Sequence, residues 1–73
     1  MITIYSTASC MKCKMLKNEC DKKGIVYESV DIEKDQDAYT MLESAGILSL
    51  PVVGKDGVLN TGDNKALMKI IES

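Results

Sequence analysis

An α/β fold with the element order β-α-β-α-β-β-α follows from three observations. Short runs rich in β-branched residues (Ile2–Ser6, Ile25–Ile32, Val52–Val53) alternate with longer segments whose apolar residues recur at helical spacing. Gly24 and Gly46 stand where those helical segments must stop. Gly54-Lys55-Asp56-Gly57 is a turn signal that sends Val58-Leu59 back along Val52-Val53 as a hairpin. A β-α-β start implies parallel pairing through a right-handed crossover. The hairpin adds antiparallel neighbours. The expected architecture is a mixed four-stranded sheet covered by three helices, built from one domain spanning 1–73.

Each element has its own warrant. Ile2 to Ser6 reads as a buried strand, and Thr7-Ala8-Ser9 as a short loop of small residues. The first helix begins close to Cys10 and runs to about Lys23. On it Cys13, Leu16 and Cys20 share one face, with lysines and Glu19 filling the rest. Ile25–Ile32 is the second strand. Asp35 caps a second helix running to about Ala45, with Ala38, Leu42 and Ala45 as its apolar stripe and Met41 at the border. Ile47-Leu48-Ser49-Leu50 leads to Pro51, the one proline in the chain. Asp63 or Thr61 caps the last helix, whose apolar side is Ala66, Leu67, Ile70 and Ile71.

Composition narrows the function. The 73 residues carry a formal net charge of -2, from nine lysines and eleven carboxylates, with no arginine and no tryptophan. Such a chain is a poor nucleic-acid binder. There is no charged n-region followed by an apolar h-region, and no apolar run approaches a membrane span. A cytoplasmic monomer that binds neither nucleic acid nor membrane is expected. Three cysteines cannot close a structural disulfide set.

Cys10-Met11-Lys12-Cys13 lies at the predicted junction of strand and helix, the setting in which a thiol becomes a good nucleophile. As a structural staple the pair would contribute only roughly 2 kcal/mol, because it ties residues that are already neighbours. Cys10 is the expected attacking thiol. Unpaired N–H groups and the positive end of the helix dipole favour its thiolate, and Lys12 and Lys14 add positive charge. Cys13, one turn on and more buried, is the expected resolving thiol, with no histidine in the chain to serve as its base. Cys20 falls on the inward face and reads as a small core hydrophobe. Met11 is expected to be exposed beside Cys10. Lys17 reads as a surface lysine on the side of Lys14, or as a steering charge for acidic partners.

The segment Ile2-Thr3-Ile4-Tyr5-Ser6-Thr7-Ala8-Ser9-Cys10-Met11-Lys12-Cys13-Lys14 resembles that of a glutaredoxin-type member of the thioredoxin superfamily. Leu50-Pro51-Val52-Val53 resembles the family's cis-proline segment, and Thr61-Gly62-Asp63 its glycine pair followed by acids. The resemblance spans the whole chain. It implies a thioredoxin-like fold, a thiol–disulfide oxidoreductase in cell redox homeostasis and electron transport, and a redox-active Cys10–Cys13 disulfide. It further implies a cis Pro51 that holds the Leu50 backbone open to a substrate segment beside Cys10. Lys12, Leu50, Pro51, Gly62 and Asp63 are then substrate-binding, with Asp63 and Asn64 either receiving a γ-glutamyl amine or only capping the helix. Tyr5 and Lys14 are supporting. Tyr5 either packs under the active-site loop or fills core with its hydroxyl reaching water.

Several residues depart from the glutaredoxin pattern. Met11-Lys12 replaces Pro-Tyr, Thr7 stands where a lysine contacts glutathione, and Thr61 breaks the glycine pair. These changes move the chain toward the short redoxins that serve ribonucleotide reductase and take electrons from thioredoxin reductase, with glutathione the other candidate reductant and co-substrate. That group's Trp-Ser-Gly-Phe segment is absent too; Asn60-Thr61-Gly62-Asp63 stands there. No tightly bound cofactor and no resident metal are expected. The rival reading is a copper carrier using Cys10 and Cys13. Such domains usually place a methionine where Ala8 stands, and they end in a strand where this chain predicts a helix. A bridged iron–sulfur dimer is a further alternative.

Overall fold

The computed structural model describes residues 2–73. Its elements are β1 (Ile2–Ser6), α1 (Met11–Lys22), β2 (Tyr27–Asp31), α2 (Gln36–Ser44), β3 (Val52–Lys55), β4 (Val58–Asn60) and α3 (Asn64–Glu72). The order β-α-β-α-β-β-α is the predicted one. The four strands form one sheet in the order β2-β1-β3-β4. β1 pairs parallel with β2, Ile4 opposite Ser29, and antiparallel with β3, Ile4 opposite Val53. β3 and β4 close the sheet as an antiparallel hairpin. This mixed sheet with three helices is a thioredoxin-like fold.

Strand alternation sends Ile2, Ile4 and Ser6 to one face of β1 and Thr3 and Tyr5 to the other. The first face carries the main core, in which Ile2, Ile4 and Val53 pack with Leu16 and Cys20 of α1 and Leu67 and Ile71 of α3. The buried stripe of α1 is Cys13, Leu16 and Cys20, the three residues its spacing predicts. The second face lies under α2, which buries only Ala38 and Leu42.

Both α1 and α2 end in the same motif. Gly24 (φ 69) and Gly46 (φ 72) adopt the left-handed conformation that L-residues with a side chain avoid. The N–H of Ile25 then reaches back to Cys20 O at 2.9 Å, and that of Ile47 to Leu42 O at 3.0 Å. This is the Schellman arrangement, which satisfies carbonyls left open at a helix end.

Four expectations shift. Ile25 closes α1 and packs on the core, and Val26 is 79% exposed, so β2 starts only at Tyr27. Ala45 is the C-cap of α2 and is exposed, not part of its stripe. On α3, Ala66 is exposed and Met68 packs against the core in its place. Successive helical residues turn by about 100°, so a face centred on Leu67 and Ile71 takes in Met68 and leaves Ala66 outside. The hairpin turn is two residues, Asp56 (φ 52) and Gly57 (φ 78), with Gly54 and Lys55 inside β3. Two successive positive φ values match the right-handed twist of the flanking strands.

Candidate active site

The loop Thr7–Ser9 carries the chain from the end of β1 to Cys10, the N-cap of α1. Cys10 has extended backbone (φ -84, ψ 105), and its N–H bonds to Thr7 O at 3.2 Å. Its sulfur accepts the Cys13 N–H at 3.1 Å. A helix start leaves such donors without partners, and here sulfur takes one of them. Cys10 and Cys13 are joined as a disulfide, with Cα atoms 5.3 Å apart. Exposure separates their roles: Cys10 is half-buried, whereas Cys13 is 1% exposed. An external thiol or disulfide meets the Cys10 sulfur first.

The first turn of α1 contains no acidic residue. Met11, Lys12 and Lys14, in the first turn of α1 beyond Cys10, are exposed. The charge neighbourhood thus agrees with the dipole in favouring an anion at Cys10.

Two other segments converge on this end of the sheet. The Leu50–Pro51 bond is cis, and Pro51 is buried. Tyr5 pairs with Val52 across β1 and β3. Continuing that register by one residue sets Pro51 opposite Ser6, where the chain leaves β1 for Cys10. Beside Leu50 lies a cleft of ≈ 210 Å³ walled by Ile32, Tyr39, Leu42 and the chain from Ile47 onward. Leu48, in that segment, is 94% exposed.

The second segment is Gly62-Asp63-Asn64. Gly62 has φ 141, which favours glycine. Asp63 Oδ1 caps α3 by accepting the Ala66 N–H at 2.8 Å. Asn64 Nδ2 donates to Lys12 O at 3.0 Å and ties the start of α3 to the turn between the two cysteines. From the sequence, Asn64 reads only as a ligand-binding residue or a helix cap. A side chain that bonds a main-chain carbonyl 52 positions away leaves no local signal.

Three other residues complete the comparison with expectation. Tyr5 points to the α2 face, opposite α1, and its ring lies 3.3 Å from where a Cβ at residue 54 would sit. It therefore does not pack beneath the active-site loop; Gly54 supplies the space for its ring. Cys20 is fully buried, with Sγ 3.9 Å from Met68 Sδ. Burial, followed by the nearby charges of Asp21 and Glu19, pushes its thiol pKa up. Lys17 is only half-exposed, and its Nζ donates to the buried Ser6 hydroxyl at 2.6 Å, so it is not an ordinary surface lysine.

The chain ends in a helix, where the copper-carrier reading required a strand. No group of three or more His, Cys, Asp or Glu side chains among the described residues is arranged to hold a metal ion. No helix among them is long and apolar enough to cross a membrane.

Comparison with known proteins places these features in context. Residues 2–59 match the glutaredoxin family model. The glutaredoxin-like protein NrdH of Lactococcus lactis is 29% identical over 62 residues, covering 85% of this chain and 86% of that protein. A glutaredoxin-like 8.6 kDa protein of the rubredoxin operon of Clostridium pasteurianum is 36% identical over 74 residues, covering 99% of each. Among solved structures, the NrdH-redoxin of Escherichia coli, described as having a thioredoxin-like activity profile, superposes with a TM-score of 0.82. That match covers 94% of this chain and 92% of the other at 24% identity, a likeness of fold.

Proposed function

The chain belongs to the glutaredoxin family, whose redoxins are thiol–disulfide oxidoreductases, and from that premise we propose that it is an electron donor reducing a protein disulfide through Cys10 and Cys13. The carrying observation is the asymmetry of the pair. Cys10 is a half-buried helix cap whose sulfur accepts a backbone N–H, while Cys13 is 1% exposed.

In the forward direction both cysteines start reduced. The Cys10 thiolate attacks one sulfur of the partner's disulfide, the partner's S–S bond breaks, and its other sulfur leaves as a thiolate that takes up a proton. Cys13 then loses its proton, and its thiolate attacks the Cys10 sulfur. The mixed disulfide breaks, the partner departs with both thiols reduced, and the Cys10–Cys13 disulfide remains. An external reductant returns two electrons.

Thioredoxin reductase is the proposed reductant, and the disulfide of a ribonucleotide reductase the proposed acceptor, in a reducing cytoplasm. Supporting this choice, Lys12 occupies the position of the glutaredoxin tyrosine and Thr61 that of a paired glycine, both changes that weaken a glutathione site. The E. coli relative with a thioredoxin-like activity profile points the same way. The main chain at Leu50 and Pro51 offers backbone pairing to the partner's segment, Lys12 and Lys14 supply charge around Cys10, and Gly62 and Asp63 border the docking surface from the start of α3.

Two coupled assays test the reading with insulin as the disulfide, one driven by NADPH and thioredoxin reductase, the other by glutathione and its reductase. NADPH consumption in the first arm, well above the second, is the expected result. Turnover in the glutathione arm alone overturns the reductant. Absence of turnover in both overturns the electron-donor role.

A further inference from the structure

Helices α1 and α3 meet on the main core, and a groove of ≈ 410 Å³ runs between them. Two side-chain links fix its ends. Asn64 Nδ2, at the start of α3, donates to the Lys12 carbonyl between the two cysteines. Lys23, the C-cap of α1, donates to Glu72 at the end of α3 and pairs with Glu19 at 3.9 Å. Asn64 itself lines the groove, so the groove starts at the active-site turn. Met15 and Met68 give it an apolar lining, and Lys65 and Lys69 stand on its α3 side.

A second feature leads from the redox centre to the same place. Met11 and Met15 are one turn apart on α1, so they share a side of the helix. They are 69% and 59% exposed. Met11 directly follows Cys10 and Met15 lines the groove, which makes a thioether stripe between the two. Methionine is unbranched and polarizable, and it moulds to varied apolar partners.

Charge selects the occupant. Lys65 and Lys69 are exposed and make no ion pair among the described residues; the pairs there belong to Lys23. α1 with its C-cap carries five lysines against Glu19 and Asp21. From β2 through α2, six carboxylates stand against Lys34 alone. An acidic partner is therefore drawn to α1 and away from the α2 side. A two-fold dimer through the groove would instead set lysines against lysines.

We propose that the α1–α3 groove docks an acidic, amphipathic segment of the partner protein, flanking the disulfide that Cys10 attacks. Its apolar residues seat on Met15 and Met68, and its carboxylates meet Lys65 and Lys69. This rests on the reading of Cys10 and Cys13 as acting on protein disulfides, and it names the class of segment they serve.

Three synthetic peptides test the groove. Each carries a Cys-Gly-Gly-Cys disulfide. One ends there, one continues in repeated Leu-Leu-Glu-Glu, and one in repeated Leu-Leu-Lys-Lys. Each is mixed with the reduced, full-length protein, and the reduced peptide is measured by acid quench and chromatography. At low salt the acidic peptide should react ~10-fold faster than the lysine peptide, a gap that narrows as salt rises. Lys65→Glu combined with Lys69→Glu should remove that preference. With protein and peptide both oxidised no exchange occurs, and methionine methyl NMR reads docking alone. The Met15 and Met68 signals should move with the acidic peptide, while that of Met41, on α2, stays. Equal rates for the two tailed peptides, or shifts confined to Met11, overturn the groove and leave the dithiol reading intact. Met15 and Met68 shifts that follow protein concentration without peptide give the groove to a second copy and also overturn the proposal. Failure to reduce any of the peptides or insulin overturns both readings.

Discussion

Helices α1 and α2 are built alike at both ends and differ at one atom. Each starts with a residue in extended conformation whose side chain accepts the N–H three residues on, at 3.1 Å in both cases. Each ends in a left-handed glycine and the same pair of backward hydrogen bonds. At the start of α2 the accepting atom is Asp35 Oδ1; at the start of α1 it is Cys10 Sγ. A carboxylate fills that role better than sulfur, and cysteine is not among the preferred caps. The difference teaches that the N-cap of α1 gives up local stability for a sulfur whose anionic form the same N–H stabilises. The two helices also face different depths of core. α1 sits on the main core with α3, whereas α2 covers the other face with two buried residues.

Replacing the sulfur separates capping from chemistry most sharply. Cys10→Ser should reduce disulfide-reductase activity to background. Because serine is a favoured cap, its stability should stay within about 0.5 kcal/mol of the reduced wild type, or exceed it. Thermal melts in reductant beside the coupled assay check this. A Cys10→Ser variant that unfolds would mean the sulfur holds the helix rather than reacting.

The depth difference is the next largest effect. Leu16→Ala, at a site with no exposure, should cost about 2–5 kcal/mol by denaturant unfolding, and Leu42→Ala a value at the lower end of that range. Equal losses would erase the distinction between the two faces. Asp35→Ala should cost about 1 kcal/mol and leave turnover unchanged, since it removes a cap and no chemistry.

The smallest effect concerns the thiol that α1 buries. A group whose folded pKa is raised contributes stability below its unfolded pKa and loses it as pH rises through the folded one. Burial raises Cys20, so its contribution falls away in the alkaline range, beginning near the unfolded thiol value of about 8.5. Tyr27, raised chiefly by burial, and Lys23, raised chiefly by its hydrogen bond to Glu72, act in the same sense. The Cys20→Ala variant isolates the thiol: its stability, lower at neutral pH, should decline less steeply above that value. Parallel curves would show Cys20 does not ionise in this range.

Much of this molecule could be read from local pattern. The stripe of α1, the glycine stops, the Asp35 and Asp63 caps and the placement of the cysteine pair at a helix start all follow from spacing within a few residues. Reading failed where contacts are distant. Ile25 looked like strand because β-branched residues favour strands, yet the end of α1 claims it. Tyr5 lies near Cys10 in sequence, but strand alternation turns it to the opposite face. The Ser6–Lys17 and Asn64–Lys12 bonds join elements that only the folded sheet brings together. A lysine at an otherwise helical surface position carries no mark of the hydroxyl beneath it.

The cysteine pair hangs from β1, and β1 is flanked by hydrogen-bonded neighbours on both sides, β2 and β3. The strands at the margins, β2 and β4, each have only one. Fraying should therefore begin at those margins and leave β1 for last, so that amide exchange at Ile4 tracks global unfolding while that at Val58, in the hydrogen-bonded pair with Lys55, reports cheaper local opening. The redox sulfurs are thus anchored to the slowest-exchanging part of the chain, and the molecule can breathe at its periphery without disturbing their alignment.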